Sequence, residues 1–203
     1  MKNLVLIALT LTFSQQASAA KKTGSTQLTV DTAATKINWH GSKVTGAHEG
    51  VVGVKSGSLK LSGNELVGGE VVVDMTSLKS TDMTDAKKAE KLDGHLKSDD
   101  FFQVGKYPTA VLKITKVTPV KGITAGSPTH ILAGDLTILD KTNKVEFPAT
   151  LTAGTDRFTG TAELKLDRTK WDIKYGSASF FKSLGDKAIH NEFTLKVSLA
   201  AKK

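Results

Sequence analysis

The sequence contains no cysteine. Disulfides, thiolate catalysis, zinc–cysteine sites and covalent haem attachment are therefore excluded. Arginine is almost as scarce, with Arg157 and Arg168 the only two. Proteins that read DNA sequence rely on arginine for bidentate contacts to guanine. The net charge of +8, nearly all of it lysine, thus does not point to nucleic acid. The lysines fall at alternate positions along the chain and describe a solvated surface, with weak attraction to anionic head groups left open. No G-x-S-x-G elbow, phosphate-binding Walker loop or H-E-x-x-H helix is present, which leaves the chain without a recognisable catalytic motif. The five histidines, at 40, 48, 95, 130 and 190, are too dispersed for a metal set, and no metal or cofactor is expected.

Long apolar runs are missing as well. The longest, Leu4 to Phe13, follows Lys2 and precedes Ala17-Ser18-Ala19. A positive start, a short apolar stretch and an A-x-A site make residues 1–19 an expected signal peptide cleaved after Ala19. The run is too short to span a bilayer, which takes about 20 apolar residues. Residues 20–203 then form one expected domain, periplasmic or secreted, whose charge is +7 once Lys2 is removed. A chain of that size can fold without disulfides because its own core is large enough.

What is present is alternation. EFTLKVSL sets Phe193, Leu195, Val197 and Leu199 on one face, and RFTGTAELKL does the same with Phe158, Gly160, Ala162, Leu164 and Leu166. KVEFPATL aligns Val145, Phe147, Ala149 and Leu151; HILAGDLTIL aligns Leu132, Gly134, Leu136 and Ile138; TKINWHG aligns Ile37, Trp39 and Gly41. Period-two patterns of this kind are strands with one buried face. Further strands are expected in TQLTVD, HEGVVGV, GSLKL, GGEVVVDM and TAVLKITKV, with turns at residues 62–64, 140–144 and 154–156. About eight to ten strands with short connections make an antiparallel sandwich or closed barrel. Several inward positions are Gly or Ala, which favours a barrel with internal space, and an eight-stranded barrel is just wide enough for one small ligand. One segment breaks the pattern. Residues 84–96 read as a helix capped by Thr84, with Ala89, Leu92 and Leu96 as an apolar stripe.

The few aromatic residues are concentrated in HLKSDDFFQVGKYP, where Phe101 and Phe102 follow the helix. This stretch, LTILDKTNKVEFP and LDRTKWDIKYG, in that order, resemble the motifs of the YceI family of exported lipid-binding proteins. The matching positions are Asp93, His95-Leu96, Ser98, Asp100-Phe101-Phe102 and Tyr107-Pro108; then Gly134 to Ile138 with Thr142; then Arg168, Trp171, Ile173, Tyr175 and Gly176. The chain departs from the family pattern at Gln103, where Asp is frequent, and lacks the usual Gly before Thr142.

The resemblance implies a lipocalin-like, all-β antiparallel barrel of eight strands, with the helix covering one mouth. It also implies a long isoprenoid, a quinone or isoprenyl pyrophosphate, or a similar amphiphile as ligand. The candidate ligand-binding residues are Trp39, His40, His95, Phe101, Phe102, Leu136, Ile138, Phe158, Arg168, Trp171 and Tyr175. The phenylalanine pair reads either as a gate over the mouth or as core beneath the helix. Arg168 reads either as a clamp on an anionic head group or as the partner of a nearby carboxylate or Trp171. The expectation is a carrier or buffer and not an enzyme, with no nucleic acid partner; transient membrane contact and a homodimer stay open. The alternatives are a hydrolase or isomerase acting on an exported isoprenoid lipid, and an adaptor with a filled core.

Overall fold

The alternating runs become nine antiparallel strands in the computed structural model, which describes residues 24–122 and 124–203. The expected signal segment lies outside the described residues. The strands are β1 (Ser25–Val30), β2 (Lys36–Lys43), β3 (Gly46–Ser62), β4 (Glu65–Ser80), β5 (Thr109–Pro119), β6 (His130–Ile138), β7 (Lys141–Ala153), β8 (Arg157–Asp167) and β9 (Ile189–Lys202); helix α1 (Ala86–Lys97) joins β4 to β5. Neighbours run β3-β2-β9-β8-β7-β6-β5-β4, and β4 pairs back onto β3. Eight strands thus close into a barrel, whose ladder of backbone bonds returns to its own start.

β1 and β2 occupy one place in this ring. Both run antiparallel to β3, β1 against Ser62 to Ser58 and β2 against Val52 to Gly46, and both touch β9. They are two pieces of one interrupted strand. The break at residues 31–35 is a local turn in which Thr35 N donates to Asp31 O (2.9 Å) and Ala34 N to Asp31 Oδ1 (3.1 Å). Leu28, Val30, Leu61 and Ala201 pack tightly at this end of the barrel. Gly57 permits it: a Cβ there would stand 2.7 Å from the Val30 side chain and 2.9 Å from Glu70 O.

Three expectations of local structure change. HEGVVGV and GSLKL are not separate strands but one, β3, of 17 residues. Register shifts against β4 at Val51/Gly53, Val54/Ser56 and Lys60/Leu61 absorb the mismatch in phase and bend the strand around the barrel. The turn expected over 140–144 is only Leu139-Asp140, since Ile138 already pairs with Lys141. The helix starts two residues late, with Asp85 and not Thr84 as its cap. The Asp85 carboxylate accepts from both Lys87 N (3.0 Å) and Lys88 N (3.2 Å), which a threonine hydroxyl serves less well.

No residue of α1 is buried, so the helix depends on a few specific anchors. The strongest is Asp93, whose Oδ1 accepts from both the backbone N and the hydroxyl of buried Ser80 at 2.7 Å each. This bond fixes the middle of the helix to the end of β4. Asp93→Ala would strand two donors and is expected to cost about 1–3 kcal/mol. Urea denaturation measures the loss, and faster amide exchange confined to residues 86–97 distinguishes a freed helix from general destabilisation.

Candidate functional site

The inner faces of the strands do not meet in the middle. Inside the barrel they enclose a cavity of about 410 Å³ with an almost wholly apolar lining. The reason is side-chain size: Ala149, Gly160 and Ala162 face inward side by side on β7 and β8, and all three line the space. Phe193, Leu195, Val197 and Leu199 of β9 line it as well and are only half-buried, because there is no opposing side chain to cover them. Gly134 has another role. A Cβ there would meet Lys113 O at 2.6 Å, so this glycine lets β6 approach β5 beside the register shift at Ile114/Lys116.

At the far end Leu59, Leu66 and Phe158 close the cavity, and all are buried. At the other end its border runs through exposed residues, His40, Lys43, Gly46 and His190. That end is the mouth. The helix and the loop after it lie across it, contributing Leu92, His95, Leu96, Phe101 and Phe102 to the lining.

The first and third sequence motifs converge on this lid. The His95 ring stands edge-on to Phe101 (centroids 5.0 Å) and to Tyr175 (4.8 Å), while its Nε2 meets Asp100 Oδ2 at 2.9 Å. The Arg168 guanidinium lies 5.9 Å from the Phe101 ring. It is 5% exposed, and its three bonds go to main-chain carbonyls: Nε to His190 O (3.1 Å), one terminal nitrogen to Ile173 O (2.7 Å) and the other to Ile189 O (3.1 Å). Burial pushes Arg168 below its ordinary pKa, with the charge of Asp167 acting in the opposite direction. The Asp167 carboxylate itself is occupied by Thr169 N and Oγ1 (2.9 and 2.7 Å), and Arg168 has no carboxylate in contact among the described residues. Arg168 therefore ties the start of β9 to the turn that ends β8, and it also borders the cavity.

Of the candidate residues, Trp39, His40, His95, Phe101, Phe102, Leu136, Ile138, Phe158 and Arg168 border the cavity. Trp171 and Tyr175 do not. Trp171 is 1% exposed and donates its Nε1 to Leu136 O (3.1 Å), pinning the third motif to the second. Tyr175 covers the lid from outside. Trp39 Nε1 is the one buried side-chain polar atom without a partner among the described residues. Its indole lies over Gly50, where a Cβ would come within 2.6 Å of the ring.

Sequence reasoning passed over Ser42, His48 and His190 at the rim. Ser42 Oγ and His190 Nδ1 are 2.7 Å apart, and His48 Nδ1 meets Asp82 Oδ2 at 2.8 Å. No spacing signals either pair, because they join positions 148 and 34 residues apart. Among the described residues no group of three or more His, Asp or Glu side chains could hold a metal ion.

A closed eight-stranded barrel with an apolar interior and a helical lid defines a lipocalin-like fold. The chain belongs to the YceI-like domain family, whose sequence profile it matches over residues 28–201. It is similar in fold to BcnA of Burkholderia cenocepacia, at 21% identity and a TM-score of 0.64, covering 85% of this chain and 99% of that one. It is also similar to a polyisoprenoid binding domain from Saccharophagus degradans implicated in plant cell wall breakdown, at 14% identity and a TM-score of 0.56, covering 86% and 97%. The YCEI protein of Campylobacter jejuni aligns over 100% and 99% of the two chains, at 14% identity and a TM-score of 0.51. Among curated protein sequences there is no match.

Two outcomes follow for the lid. Arg168→Lys keeps the charge but cannot span three carbonyls, and it is expected to cost on the order of 2–3 kcal/mol in urea denaturation. Equal stability would mean the fork is dispensable. The second concerns Asp172, whose carboxyl is held below its ordinary value by hydrogen bonds from Lys141 and Lys174. A lowered carboxylate pKa adds stability above the unfolded value and loses it as pH falls through the folded one. Asp172→Asn, which tolerates the left-handed backbone there (φ 60°), should lower Tm at neutral pH, and the gap to the unaltered protein should close in acid.

Proposed function

We propose that this protein binds an amphiphile with a long apolar tail, of the isoprenoid lipid class, inside the barrel, and holds or carries it without transforming it. The observation that carries this reading is the apolar cavity of about 410 Å³, closed at one end and lidded by His95, Phe101 and Phe102 at the other. Cavities of about 300–1,000 Å³ are the size in which small molecules bury most of their surface. Each buried CH₂ contributes about 0.8 kcal/mol. About 15 such groups give roughly 12 kcal/mol gross, against association costs of about 4–15 kcal/mol. Binding is then useful and reversible, as a carrier needs.

The polar end of the ligand meets few groups. Among the described residues Trp39 Nε1 lacks a partner, but it is fully buried and does not face the open cavity. The rim adds Lys43 and His40. The S. degradans relative is described as a polyisoprenoid binding domain, which supports the choice of lipid class. The signal-like N-terminus supports an exported protein, periplasmic or secreted, where a water-filled space separates lipid from its destination.

One observation favours the hydrolase alternative: the Ser42–His190 contact at the mouth. Against it, no carboxylate orients the other ring nitrogen of His190 among the described residues, and serine activation through histidine depends on such a third group.

The test is native mass spectrometry of the purified protein, with the organic extract identified alongside. A stoichiometric, chemically unchanged isoprenoid is expected. Ala162→Phe, which fills the cavity from its own wall, should reduce occupancy about tenfold or more, a change of about 1.4 kcal/mol, while the protein stays folded. Phe101→Ala with Phe102→Ala should speed loss of the bound lipid. Turnover of a lipid ester that vanishes in Ser42→Ala would establish the enzyme instead, and an empty protein in every preparation would defeat the carrier.

A further inference from the structure

Among the described residues, six large apolar side chains stand out into solvent, and four of them, Val44, Tyr175, Phe180 and Phe181, sit at the mouth. Phe180 and Phe181 are each half exposed, in the connection from the turn after β8 to the start of β9. They are held there by a built turn. Both backbone N–H groups donate to Ser177 O (3.0 and 2.9 Å), Ser177 is fully buried, and its hydroxyl donates to Asn191 Oδ1 (2.6 Å). Gly176 O accepts from the N of Ile189, a cavity-lining residue (2.8 Å). Val44, on the β2–β3 turn, donates its N–H to Ala188 O of the same connection (3.1 Å). The apolar projections and the rim are therefore one surface.

That surface is basic. Residues 174–188 carry Lys174, Lys182 and Lys187 against Asp186 alone. Lys174 Nζ lies 4.9 Å from the Phe180 ring centroid and 3.1 Å from Asp172, and Lys43 is paired with Ile189 at the end of the same connection. The acids at the mouth are largely engaged: Asp172 is shared between Lys141 and Lys174, Asp82 meets His48 and Asp100 meets His95, while Asp186 and Glu192 stand beside the patch. Adjacent aromatic rings fixed in water and surrounded by lysines match the chemistry of a bilayer interface, where rings enter the acyl boundary and ammonium groups meet anionic head groups.

We propose that the Phe180–Phe181 turn docks the mouth of the barrel onto an anionic phospholipid surface. Docking there places the lid against the head groups, so a lipid tail passes between membrane and cavity without crossing water.

The experiment is co-sedimentation of the protein with phosphatidylglycerol vesicles and, separately, phosphatidylcholine vesicles. Partitioning onto phosphatidylglycerol that weakens with added salt is expected. Phe180→Ser with Phe181→Ser, and separately Lys182→Glu with Lys187→Glu, should each reduce it at least about tenfold, with Tm unchanged. The docking proposal is overturned if the protein ignores phosphatidylglycerol, or if the serine variant partitions like the parent. A dimer in light scattering that the serine variant converts to monomer, without vesicle binding by the parent, overturns it too and assigns the rings to self-association. Vesicle partitioning is read independently of bound lipid, so its failure leaves the cavity reading intact.

Discussion

Pairing of β4 back onto β3 is the constraint from which the rest follows. Once eight strands close, the wall has a fixed radius, and only inward side chains can fill the middle. In an open sandwich, small residues at Ala149, Gly160 and Ala162 would let the opposing sheet move closer. A hydrogen-bonded ring cannot collapse in that way, so missing side-chain volume remains as empty space. The cavity is thus a product of backbone closure and of three short side chains on adjacent strands.

The lid obeys a different logic. Its loop buries Phe101 and Val104 in the core, but its helix has no buried residue, and polar anchors add to the hold: Asp93 to Ser80, His95 to Asp100, Arg168 to three carbonyls. Arg168 is costly to bury, and the charge of Asp167 offsets that cost only in part and without direct contact. Its position is sustained by bonds to the carbonyls of Ile173, Ile189 and His190, and by the face of Phe101. A lid built from a few directional bonds can open by breaking a small number of them, whereas the barrel wall opens only by unzipping a ladder.

The two parts were unequally legible in the sequence. The inward faces of β6, β7, β8 and β9 were readable residue by residue, because period-two alternation encodes which side of a sheet is dry. Small residues on those faces signalled the space. The long β3 was not readable as one strand, since its register shifts put the apolar pattern out of phase midway. The lid helix was legible from its cap and apolar stripe, but its place over the mouth came only through resemblance to a family, and that resemblance grouped Trp171 and Tyr175 with residues that border the cavity. One pins two motifs together in the core and the other packs outside the lid. Arg168's partners are main-chain carbonyls, which carry no side-chain signature, so a search for its counter-charge among nearby acids could not find them. The Ser42–His190 pair depends on β2 lying beside the start of β9, a fact of topology alone.

The tight packing of Leu28, Val30 and Leu61 beneath the cavity makes the barrel a blind tube. Nothing can be threaded through it. A guest goes in tail first and comes out head first, by the same door. Two guests cannot follow one another in file, so every exchange requires full emptying before reloading. Under the proposed carrier reading, the direction of transfer is set not by the shape of the vessel but by the surface that its open end faces.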